Sequence, residues 1–161
     1  MSDSVRAAIV ATLLGGVVAG TIDIGAACLI SGRSVPFILH AIAGGLLADR
    51  SFEGGTQTAV LGAFLQEFMG ILIAGIYVGA TFVLPVLRRR WVRFGLAYGV
   101  AVFFVMNYVV VPLSAWQTIP HYSVAHFAAN MAAMLLFGLI VAYFARAVPL
   151  GGITSSGAGR V

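Results

Sequence analysis

The sequence predicts an all-α integral membrane protein, a four-helix bundle with one short interfacial or re-entrant helix between spans one and two. Three observations carry that prediction. Of 161 residues, 61% are hydrophobic and only 9% are charged, against about 25% charged in an ordinary soluble domain. With a mean hydropathy of +1.05, the chain has too little polar surface to face water. Its apolar runs are of helix length, unlike the roughly ten-residue alternating segments of an outer-membrane barrel. Its nine basic residues are all arginine and gather at the ends of those runs. A soluble protein this basic would suggest nucleic acid. Here membrane anchoring explains the charge, and no nucleic acid is expected.

Span one is expected over about residues 5–30. Arg6 and the run that follows imitate a signal peptide, but Asp23 interrupts the run and apolar character then resumes. The segment therefore reads as an uncleaved span. Gly15, Ala19, Asp23 and Ala27 share one stripe, with the pair Gly16 and Gly20 beside it. Small residues of this kind let a neighbouring helix approach closely. Cys28 is the single cysteine, so no intrachain disulfide can form.

Ser34 is placed to cap a short helix over about 35–48, with Pro36 in its first turn. At roughly 21 Å it is too short to cross a bilayer comfortably. A polar turn over 49–55 follows. Span two is expected over about 56–87, long enough to tilt or protrude. It carries Gly62, Gln66, Gly70 and Ala74 on one stripe, Glu67 beside them, and a second glycine pair, Gly75 and Gly79. Pro85 and the run Arg88–Arg93 close it. Span three covers about 94–116, with Gly95, Gly99, Phe103 and Asn107 in line. Span four covers about 123–145, with His126, Asn130 and Met134 four apart. The expected domain is residues 1–147, and the Gly- and Ser-rich segment 148–161 is expected to be a flexible cytoplasmic tail.

Arginine counts set the expected orientation. With both termini in the cytoplasm, seven arginines lie inside and two outside. Trp91 and Trp116 then sit at opposite interfaces. The expected location is a bacterial inner membrane, crossed four times.

At 1.5 Å of rise per residue, this orientation puts Asp23 about 10 Å deep, Glu67 about 14–16 Å, Asn107 about 13 Å and Asn130 about 10 Å. His126 lies nearer the surface. Asp23, Gln66, Glu67, Asn107, Asn130 and His126 are therefore expected to converge as a polar layer. A carboxylate at the centre of an inserted helix costs about 3 kcal/mol or more, so the layer needs a compensating role. One role is interhelical hydrogen bonding that fixes the packing. Another is a proton or cation site, in which Asp23 and Glu67 cannot both stay ionised cheaply and His126 serves as counter-ion. A metal site is disfavoured, because no two candidate ligands have pair spacing on one helix. HExxH, GxSxG, P-loop and CxxC motifs are missing from the sequence, which lowers the expectation of an enzyme. No catalytic residue or cofactor is assigned. Arg88, Arg89, Arg90 and Arg93 read as a topology anchor, or as a site for anionic lipid headgroups.

Leu14–Asp23, the short helix before Gly54-Gly55, Leu96-Ala-Tyr-Gly99 and Met106–Ser114 resemble small four-span bacterial inner-membrane proteins of unknown function. The likeness covers most of residues 5–146, and Met106–Ser114 is its most specific part. Such proteins often carry a histidine near the position of Glu67, followed by phenylalanine, and another near Ala133. Here Gln66-Glu67-Phe68 and Ala133 stand instead. The resemblance implies the architecture and no activity.

Small size, minimal loops and glycine-rich faces point to a non-enzymatic structural or accessory component. Its expected partners are the lipid bilayer and a larger membrane complex or a second copy of the chain. The alternative is a small proton- or cation-coupled transporter working through Glu67 and Asp23. A lipid-modifying enzyme is the third reading, and it would need a cavity open to the bilayer near the polar layer.

Overall fold

A computed structural model describes residues 3–149. Among the described residues the chain is helical, with no strand. Helix α1 spans Asp3–Ser31, α2 Val35–Leu47 and α3 Gly55–Val83. Helix α4 spans Trp91–Leu113 and α5 Val124–Ala145. All but α2 are long and apolar enough to cross a membrane, which makes this a multi-pass membrane protein in contact with lipid.

The chain's punctuation sets these ends. Gly32 takes φ +65° just past α1, the left-handed conformation that closes many helices. Ser34 is extended, with φ −71° and ψ 157°, and starts α2 with a proline in its first turn. α3 stops at Val83, four residues short of the expected Leu87, because Pro85 forces its predecessor away from helical geometry. One helical turn, Val86–Arg89, follows. α4 then begins at Trp91, three residues earlier than expected. Ser123 caps α5, its hydroxyl accepting the His126 N–H at 3.3 Å.

α4 is not regular throughout. Met106–Val110 forms a π turn. Asn107 Nδ2 donates to the Phe103 carbonyl at 2.8 Å, which competes with the backbone for that acceptor. One turn on, Pro112 has no N–H to donate and its ring crowds the carbonyl four residues back. The Val111 N–H reaches past that position to Met106 O.

The four spans pack in the order α3, α1, α5, α4. Two seams use glycine to bring backbones together. A Cβ on Gly16 of α1 would lie 2.5 Å from Ile71 Cα of α3, and one on Gly70 would lie 2.7 Å from Gly16 O. On the other side, a Cβ on Gly95 of α4 would meet Ala142 Cβ at 2.9 Å, and one on Gly99 would meet Leu135 Cα at 2.8 Å. The Gly75–Gly79 pair is used differently: a Cβ on Gly79 would meet nothing within 4 Å.

The ends of the row, α3 and α4, meet through side chains at the arginine-rich end. Tyr98 Oη donates to Ile73 O at 2.6 Å, and the Tyr77 and Tyr98 rings lie 5.0 Å apart. The buried core, including Ala74, Val78, Leu87, Val141 and Ala145, gathers in this half. Val148 is buried against it. The rest of the expected tail, from residue 150, lies outside the described residues.

At the opposite end α2 lies between α3 and α4. Trp116 Nε1 donates to Ala41 O at 3.1 Å, and the Ala115 N–H to Gly45 O at 2.8 Å. Gly44 lies flat beneath the Trp116 indole, and Gly62 lets α3 approach the Leu39 carbonyl. His40 Nδ1 and Thr58 Oγ1 are 3.0 Å apart.

Candidate functional site

The antiparallel α1–α3 seam brings Gly20 against the Gln66 carbonyl and the Glu67 carboxylate. Gln66 Nε2 donates both its protons to α1, to Gly20 O at 3.2 Å and to Asp23 Oδ2 at 3.0 Å. Neighbouring Glu67 points about 100° away around the helix and meets a different group: its Oε1 accepts from Thr21 Oγ1 at 3.2 Å. Its second oxygen, Oε2, is buried without a partner. A Cβ on Gly20 would lie 3.4 Å from that oxygen, in ordinary contact. Gly20 thus leaves the carboxylate room without being dictated by it.

The remaining members of the expected layer stand apart. Asn107 belongs to α4, where it bonds Phe103 O through Nδ2 and accepts from Tyr122 Oη at 2.6 Å. Asn130 donates to His126 O on its own helix at 2.8 Å, and His126 Nδ1 lies 2.9 Å from Ser123 Oγ. The six residues thus fall into three groups: Asp23 with Gln66 and Glu67, Asn107 alone, and His126 with Asn130. Depth fixes height along the membrane normal but not direction around each helix axis, and side chains meet only where both agree.

Two partners, Thr21 and Tyr122, were not singled out by sequence reasoning. Thr21 follows the small-residue pair directly, on an exposed position, and nothing in its spacing marks it. Tyr122 had a readable signal: a tyrosine beside an apolar span needs a partner for its hydroxyl.

Chemically, the α1–α3 group is better suited to fastening than to relaying. An amide is neither acid nor base at neutral pH, so Gln66 carries no proton from Asp23 toward Glu67. No group of three or more His, Cys, Asp or Glu that could hold a metal ion occurs among the described residues.

A second polar region lies at the arginine-rich end. Arg89, Arg90 and Arg93 are exposed and, with Trp91, line a shallow pocket of about 370 Å³ at the start of α4. The first backbone N–H groups of a helix lack intrahelical acceptors and favour anions. Arg88 turns inward: its Nη1 is buried without a partner, and burial pulls its pKa below the usual guanidinium value. The Arg146 guanidinium covers the Trp91 ring at 5.0 Å and the Tyr143 ring at 4.2 Å.

No family model, curated protein or solved structure matches this chain. Its function rests on its own geometry.

Proposed function

We propose that this protein is a non-enzymatic accessory component of a bacterial inner membrane, one four-span domain that packs against a larger membrane complex. One observation supports this reading above others: the Gln66 amide spends both protons on α1, so the central polar group acts as a fastener between two helices. Hydrogen bonds across spans average about 0.6 kcal/mol each and fix orientation more than they add stability. Both termini are cytoplasmic in this reading, which puts Arg88, Arg89, Arg90 and Arg93 at the inner leaflet. There the exposed Arg89, Arg90 and Arg93 hold anionic lipid headgroups, worth about 1 kcal/mol per arginine, while Arg88 turns inward. Purification from membranes in mild detergent tests it. Co-migration with one defined larger assembly supports the role, and a chain that always runs alone counts against it.

The competing reading, a proton- or cation-coupled transporter, draws support from the unpartnered Glu67 Oε2. The deciding variant is Glu67→Gln, assayed for proton and cation flux in liposomes. Flux that is present in the parent and lost in the variant would replace the accessory role with the carrier.

A further inference from the structure

We propose that the groove between α2, α3 and α4 binds a neutral lipid alcohol, an apolar body whose hydroxyl donates to Gln66 Oε1. The groove encloses about 820 Å³, within the roughly 300–1,000 Å³ of small-molecule sites. Ile42, Gly45, Gln66, Met69, Val110 and Trp116 are among its lining residues. Both sides of it are built. α2 is held across one side by the Trp116 indole and the Ala115 N–H. The other wall contains the π turn Met106–Val110, a feature that recurs at functional sites. Leu46, Val109 and Leu113 on its rim are exposed, so in a bilayer the groove opens to lipid.

Donor and acceptor accounting selects the occupant. Among the lining side chains, Trp116 Nε1 is spent on Ala41 O. The Ser114 hydroxyl donates to Val111 O and accepts from the Trp116 N–H. Both protons of Gln66 Nε2 are spent on α1. The acceptor left over is Gln66 Oε1, which calls for a donor on the ligand. No arginine or histidine lines the groove, and Asp23 stands behind Gln66. A carboxylate or phosphate head would be unpaired there, whereas a hydroxyl is matched. The assignment is independent of the accessory role, because binding is read on the isolated protein.

The test uses the full chain in nanodiscs with two photoreactive diazirine probes, a hexadecanol and a palmitate, and maps the labelled peptides by mass spectrometry. The alcohol is expected to label residues 38–46 and 106–116, and unlabelled hexadecanol to compete. The palmitate is expected to label these segments no more than it labels the other spans. Gly45→Leu and Ala115→Trp each fill the groove from a different side. Each is expected to cut alcohol labelling about tenfold, equivalent to about 1.4 kcal/mol, while thermal unfolding stays within a few degrees of the parent. Even labelling of all lipid-facing helices, equal labelling by palmitate, or undiminished labelling in whichever filled variant folds would overturn the proposal.

Discussion

Tyr122 Oη donates to Asn107 Oδ1 at 2.6 Å and so ties the loop after α4 back to that helix's π turn. Asn107 Nδ2 meanwhile holds Phe103 O, so this one side chain both loosens the helix and anchors the loop that follows. Tyr122→Phe is expected to cost about 0.5–1.5 kcal/mol, the net worth of a hydrogen bond. Hydrogen exchange should quicken over residues 115–122 and stay unchanged in α1. Unchanged exchange in the loop would show that it is held some other way.

The same tyrosine gives a pH prediction. Burial first, then the nearby Tyr108 phenol, raises the Tyr122 pKa above its ordinary 10.0. The folded state therefore holds this proton more tightly than the unfolded chain. That contribution is complete below pH 10.0 and is lost as pH rises through the folded value. Unfolding scans on the alkaline side of 10.0 should show a loss of stability that is smaller in Tyr122→Phe. Identical alkaline profiles would remove Tyr122 as the cause.

Glycines that look alike in sequence should respond differently. Gly16→Leu drives a side chain into the α3 backbone and is expected to cost at least the roughly 1–3 kcal/mol of an overpacked core. Gly79→Leu projects into open space and is expected to change stability by less than about 0.5 kcal/mol. Comparing their thermal midpoints in one detergent checks both. Similar losses would contradict the seam assignment.

This contrast marks what the sequence could and could not disclose. The four-helix class was legible, because a run of twenty or more apolar residues has few alternatives. The seams were half legible. Small residues four apart mark a face for close approach, and Gly16, Gly70, Gly95 and Gly99 occupy such faces. Gly79 has the same spacing and no neighbour, so the pattern names candidates and not partners. Asp23 with Gln66 was within reach, since both lie on such stripes at similar depth. Direction around an axis was not: a one-residue shift turns a side chain by about 100°, and the π turn in α4 defeats any count at constant pitch. The groove was not legible at all, because its walls come from three helices whose separation no local pattern encodes.

The fastener itself can be weighed. Gln66→Leu removes both donors to α1 and strands Asp23. The expected cost is about 0.6–1.7 kcal/mol, from the average to the largest value measured for such bonds within membranes. Asp23→Asn keeps an acceptor oxygen for Gln66 and is expected to cost less than half as much. A double-mutant cycle on the pair isolates their coupling. A coupling near zero would mean the two side chains act independently.

Trp116 reaches back 75 positions to the carbonyl of Ala41. During synthesis, then, α1 and α3 can zip together along their glycines while α2 still lacks its clasp. The short helix gains its final support only after the third span has left the ribosome. A chain ending near Val110 would lack Trp116, and with it both the clasp on α2 and one wall of the groove. The groove thus takes shape late, between the synthesis of α4 and that of α5, the span that joins α4 to α1.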